Sequence, residues 1–157
     1  MNRIILALCC CILSHAASEG ILQKWTKYRV TEMFELNKSS QDLGLSDYFS
    51  EAAWYEYQTA IEESNISALV DDNFSVTLNK FVKPVSITDA PDNKLYAQTT
   101  FILRFSSKDS SWEQPVELIL TLQDEDGDLR ITEFEGITSE AINVRNFSLE
   151  HAKECNN

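Results

Sequence analysis

The stretch Asp47–Val70, DYFSEAAWYEYQTAIEESNISALV, carries its own start and stop signals for a helix. Ser50 is of the residue type whose hydroxyl accepts a hydrogen bond from a first-turn amide, and Glu51 sits where the helix dipole favours negative charge. Phe49 and Trp54 stand at the two positions of a hydrophobic staple. Ala53/Trp54, Tyr57 and Ala60/Ile61 recur at helical spacing, with Glu51, Glu56, Thr59, Glu62 and Glu63 on the wetter side. Asn65 suits a left-handed stop. A helix with one aromatic stripe needs a surface to lie on, and the chain beyond it supplies one.

From Phe74 onward the period changes from that of a helix to that of a strand. Phe74, Val76 and Leu78 alternate with polar residues up to Pro84, and Asp89–Lys94 (DAPDNK) reads as a turn. Leu95 to Phe105 alternates most clearly, with Leu95, Ala97, Thr99, Phe101, Leu103 and Phe105 on one face. Val116, Leu118, Leu120 and Leu122 repeat the pattern. The run Gln123–Asp128 separates them from a last strand over Leu129–Ile137, which predicts a hairpin.

Upstream, Ile21–Leu36 predicts another helix, its apolar stripe drawn by Ile21/Leu22, Trp25, Tyr28, Met33 and Leu36. Asn37–Ser46 reads as a loop with one short helical turn, and the residues after Ser64 as a second connection. Helices followed by consecutive strands predict an α+β fold, N-terminal helices packed on a curved antiparallel sheet.

The first residues read as a leader. A positive start, MNR, precedes the apolar run Ile4–Leu13 and small residues that fit cleavage after Ala16 or after Ser18. The predicted organisation is a signal peptide over 1–18, one α+β domain over 19–140 and a tail over 141–157, with no membrane span once the leader is removed. The leader takes Cys9, Cys10 and Cys11 with it and leaves Cys155, so no internal disulfide is expected. Loss of Arg3 moves the net charge from −12 to −13. So acidic a chain is not expected to bind nucleic acid through its phosphates.

The chain offers little for catalysis, metals or cofactors. His15 leaves with the leader and His151 lies in the tail. Asp124, Asp126 and Asp128 surround Gly127, but the glycine and the distal acid of a calcium loop do not fall at the required places, so the run reads as a solvated hairpin tip. Glu133 and Glu135 lie in a strand among apolar residues, where a buried acid would be a general base in a pocket and an exposed edge strand is the plainer explanation. Sequons at Asn37, Asn65, Asn73 and Asn146 would matter only in a eukaryotic secreted protein. Trp112 sits in the polar run SSKDSSWEQP, where it reads as a partner contact or a loop-packing ring.

Taken together, Trp25, Phe34, Asn37, Tyr48-Phe49-Ser50, Trp54, Tyr57, Ala60-Ile61 and Ser64-Asn65 resemble the pattern of the IcmL/DotI family. The resemblance covers about residues 25 to 80 and continues as a shared strand order to about 138. It implies a VirB8-like domain with the cone-shaped fold of nuclear transport factor 2. It further implies a non-catalytic component or accessory of a type IVB (Dot/Icm) secretion apparatus, periplasmic or associated with an outer-membrane complex. Its partners would be other envelope proteins of the apparatus or copies of itself, bound through sheet edges or an exposed aromatic surface. Trp25, Tyr48, Phe49, Trp54 and Tyr57 are then family-motif positions, mostly structural. The chain departs from the family's inner-membrane members in having a cleavable leader in place of a membrane helix, and in Ala52-Ala53 where a glycine is usual. A pocket-containing ligand-binding protein or enzyme of the same fold, with Glu133 lining the pocket, and a small secreted eukaryotic glycoprotein are the alternatives.

Overall fold

The computed structural model describes residues 20–39 and 44–137. Helix α1 covers residues 20–33 and is followed by a 3-10 turn at Leu45–Tyr48, then α2 (Glu51–Glu63) and α3 (Ile66–Asp71). Five strands complete the order: β1 (Ser75–Phe81), β2 (Ser86–Ala90), β3 (Lys94–Ser106), β4 (Ser111–Glu125) and β5 (Asp128–Glu135). They form one antiparallel sheet, β1-β3-β4-β5. Helices preceding such a sheet make this an α+β fold.

The stop signal at Asn65 does its work, with φ at 63°, but a second helix starts at once. Ile66 and Leu69 are buried three residues apart, so Ile66–Asp71 is helical where a plain connection was expected. The first helix also differs from its reading. It ends at residue 33, and Leu36 is extended, exchanging backbone hydrogen bonds with Val76 at 2.9 and 2.8 Å. Its buried face runs through Thr26, Val30, Met33 and Phe34, while Ile21 and Tyr28 are 66% and 60% exposed. The rings of Trp25 and Tyr28 pulled the expected stripe to one side of the face that is buried.

Strand β2 escaped the sequence reading because only Ile87 in its five residues is a large apolar residue. It pairs with the first half of β3 (Ser86 opposite Gln98), while β1 pairs with the second half (Phe81 opposite Phe101). Pro84 lies in the break between them, where a missing amide costs no ladder bond. The β2–β3 turn puts Asp92 and Asn93 at φ 61° and 58°, within the expected turn. Asp126 and Gly127, at φ 56° and 91°, close the β4–β5 hairpin, and the Gly127 amide donates to Asp124 Oδ1 at 2.8 Å. That hydrogen bond accounts for the Asp-rich run as turn chemistry.

One face of the sheet is dry. Ala97, Thr99, Phe101, Leu103 and Phe105 of β3 and Val116, Leu118, Leu120 and Leu122 of β4 are all buried, as the alternation predicts. Fully burying a leucine or phenylalanine contributes about 1.5–3 kcal/mol. Opposite Thr121/Leu122 the β5 register slips by one residue. This bulge turns Phe134 toward the core and Glu133 outward. Gly136, at φ 113°, follows β5; a Cβ there would stand 2.0 Å from the Glu117 carbonyl oxygen, so no other residue fits.

Candidate functional site

The turn ahead of α2 builds the site. Gly44 enters it in the left-handed region at φ 82°, and Leu45–Tyr48 form the 3-10 turn. Phe49 is extended and bridges Ile131 of β5, with the Ser50 amide donating to the Ile131 carbonyl at 2.9 Å. Ser50 then caps α2: its Oγ accepts from the Ala53 amide at 3.3 Å and its carbonyl from Trp54 at 2.9 Å. The start of α2 is thereby pinned to the edge of the sheet.

This arrangement gathers all five family-motif residues. Phe49 meets both Trp54 and Tyr57 at 5.4 Å between ring centroids, and Trp54 stacks on Tyr57 at the same distance. Trp25 of α1 stands edge-on to Tyr48 at 6.2 Å. The set divides by depth. Phe49 and Tyr57 are buried, whereas Trp25, Tyr48 and Trp54 are half-buried at the surface.

Tyr57 ties the helices together. Its hydroxyl donates to the carbonyl of Met33, one of the last-turn carbonyls of α1 that the helix itself leaves without a partner. Burial strips water from this phenol and pushes its pKa well above the ordinary tyrosine range. The group stays neutral and acts as a structural donor.

Beside these rings lies a cleft of about 710 Å³. Trp25 walls it from α1, Asp47 and Tyr48 from the 3-10 turn, and Glu51 and Trp54 from α2. Residues 127–130 of the β4–β5 hairpin, among them Asp128 and Arg130, close the remaining side. Arg130 pairs with Glu125 at 3.6 Å. Just behind the cleft, the Arg29 guanidinium lies 3.5 Å over the Tyr48 ring and is held by Glu32. Nothing in the apolar spacing of Ile21–Leu36 points to Arg29 in this role. Nor could local pattern bring the hairpin tip here, because that contact spans some eighty residues of chain.

Other residues singled out by sequence fall elsewhere. Trp112 is a core residue of β4, 8% exposed, stacked on Phe105 at 5.1 Å and edge-on to Phe74 at 5.3 Å. Its polar surroundings are the outward half of a strand, and its ring packs into the core, as the loop-packing alternative has it. Glu133 pairs with Lys94 at 3.2 Å, its side chain 65% exposed, so it is not a buried acid, and it is not among the residues lining this cleft. Glu135 is likewise exposed. Ala16, Ser18 and Cys155 lie outside the described residues, as does the whole predicted tail over 141–157. No helix among the described residues is long and apolar enough to cross a membrane.

No family model and no curated protein matches the chain. Solved structures do. An IcmL-like type IV secretion system protein from Legionella pneumophila subsp. pneumophila str. Philadelphia 1 aligns with a TM-score of 0.67 at 14% identity, over 74% of this chain and 90% of that one. The periplasmic domain of DotI aligns at 0.63 and 13% identity, over 73% of this chain and 91% of the other. A periplasmic fragment of TraM aligns at 0.58 and 20% identity, over 75% and 96%. The chain therefore has the fold of these domains, the VirB8-like and nuclear transport factor 2-like arrangement that the motif resemblance implied.

Proposed function

We propose that this protein is an exported, non-catalytic component or accessory of a type IVB (Dot/Icm) secretion apparatus, working through contacts with other envelope proteins. The observation that carries this reading is the structural likeness to an IcmL-like secretion protein and to the periplasmic parts of DotI and TraM, each matched over nine-tenths or more of its length. The leader read over residues 1–18, cut after Ala16 or Ser18, would deliver it to the periplasm or to an outer-membrane complex. Its contribution is a binding surface. The half-buried rings of Trp25, Tyr48 and Trp54 fit that role, since aromatic side chains provide large contact areas at little entropic cost.

Crosslinking in intact envelopes of the source bacterium, followed by affinity capture of the tagged chain, tests the reading. Secretion-apparatus proteins should be enriched, and deletion should lower secretion. Absence of the protein from detergent-solubilised complexes, with secretion unchanged on deletion, would sink it.

A further inference from the structure

We infer that the cleft between α1, α2 and the β4–β5 hairpin receives a basic side chain, guanidinium or ammonium, presented by an extended segment of a protein partner. This rests on the reading that the domain works by protein contacts, and it names the chemistry of one such contact.

Charge decides the class of occupant. Asp47, Glu51 and Asp128 reach the cleft from three different elements, the 3-10 turn, α2 and the hairpin. The ion pairs among the described residues join Arg29 to Glu32, Lys94 to Glu133, Arg104 to Glu113 and Arg130 to Glu125, so none engages these three acids. The one cation in the lining, Arg130, is shared with Glu125. The surface on the α2 side has the same sign: residues 44–79 contain Asp47, Glu51, Glu56, Glu62, Glu63, Asp71 and Asp72 and no lysine or arginine, while Lys24, Lys27 and Arg29 lie on α1. An anion would enter against this field. A purely apolar group would strip water from carboxylates and give nothing back.

The rings decide how a cation is held. Trp25, Tyr48 and Trp54 present aromatic surface to the cleft, and ring faces attract guanidinium and ammonium groups. The protein already uses this chemistry, in Arg29 over the Tyr48, Tyr28 and Trp25 rings at 3.5, 4.7 and 5.8 Å and in Lys27 over Phe81 at 5.4 Å. At about 710 Å³ the space lies within the roughly 300–1,000 Å³ of ordinary binding clefts, enough for a long side chain and the backbone flanking it.

The test follows the three indole N–H signals of the full chain by NMR, assigned by single Trp→Phe variants. The probe is the capped peptide Gly-Ser-Arg-Ser-Gly, and its control has citrulline, a neutral isostere, in place of arginine. The arginine peptide should shift the Trp25 and Trp54 signals and leave Trp112 in place. The citrulline peptide should bind about tenfold more weakly, the scale of one lost charge-assisted contact. The double variant Asp47→Asn/Asp128→Asn, and independently Glu51→Gln, should weaken binding with the fold intact by circular dichroism, Glu51→Gln lowering the thermal midpoint only slightly for its lost first-turn charge. Equal shifts with citrulline, shifts that include Trp112, or none at millimolar peptide would overturn the inference. Tighter binding of spermidine than of the arginine peptide would also overturn it, by making this a site for small free cations. Because no envelope protein is present, a negative result here leaves the crosslinking outcome untouched, and a negative crosslinking result leaves this one untouched.

Discussion

Two settings for tryptophan divide this molecule. Trp112 looks like a surface residue by its neighbours, yet it is buried against Phe105 and Phe74. Trp25 and Trp54 look like core residues by their helical spacing, yet both stand half-buried at the rim of a cleft. In a strand with one wet face, polar residues on both sides of a large ring are what alternation requires, and Ser111 and Glu113 are exposed while Trp112 and Val116 are not. In a helix the dry stripe has a centre and margins. On α2 the centre runs through Ala53, Tyr57 and Ile61, which leaves Trp54 at the margin. Polarity of sequence neighbours therefore misleads in strands, and apolarity of a stripe misleads at its edges.

The comparison predicts very different costs for removing these rings. Trp112→Ala should have the largest effect, about 3–5 kcal/mol, because it empties a buried ring site that Phe105 and Phe74 cannot close together. Urea unfolding monitored by circular dichroism measures it, and a loss under about 1 kcal/mol would place Trp112 with the surface rings after all.

Tyr57→Phe comes next. It keeps the ring between Phe49 and Trp54 but leaves the Met33 carbonyl without its donor, at a cost of about 1–3 kcal/mol. It also has a pH signature. An unfolded tyrosine ionises near about pH 10, whereas Tyr57 in the fold holds its proton to higher pH. Its contribution is therefore whole below about pH 10 and is lost as pH rises from there through the raised folded value, where unfolding releases a proton. The Tyr57→Phe variant should lose that part of the alkaline slope, which stability curves at several pH values above about 9 would show.

Ser50→Ala should cost about 1 kcal/mol by removing the bond from the Ala53 amide. It tests whether the cap fixes the α2 start against β5. If so, the Trp25 and Trp54 indole signals should move while that of Trp112 stays in place.

What was legible in the sequence is what local rules govern. Ser50, the Phe49/Trp54 staple and the alternation through Leu95–Phe105 each gave their element correctly, because cap chemistry and strand period act within a few residues. Illegible were features set at long range. Strand β2 forms because β3 offers it an edge, which Ser86–Ala90 does not advertise by its own composition. The bulge that turns Glu133 outward arises from pairing with Thr121 and Leu122. Half of the cleft was visible in the motif residues Trp25, Tyr48 and Trp54; the half supplied by Asp128 and Arg130 was not.

The smallest effect is also the most direct probe of the difference. In variants that keep one tryptophan each, fluorescence quenching by a small cation and a small anion reports both exposure and local charge. Trp112, at 8% exposed, should resist both caesium and iodide. Trp25 and Trp54 share a cleft with Asp47, Glu51 and Asp128, so caesium should be concentrated there and iodide kept out. The ratio of caesium to iodide quenching at Trp54 should exceed that of free indole by roughly twofold at low salt and fall toward it in about 1 M salt, where charges are screened beyond about 3 Å. A ratio equal to that of free indole at low salt would mean that Arg130 and Arg29 neutralise the cleft, and would leave exposure alone as the difference between the two settings.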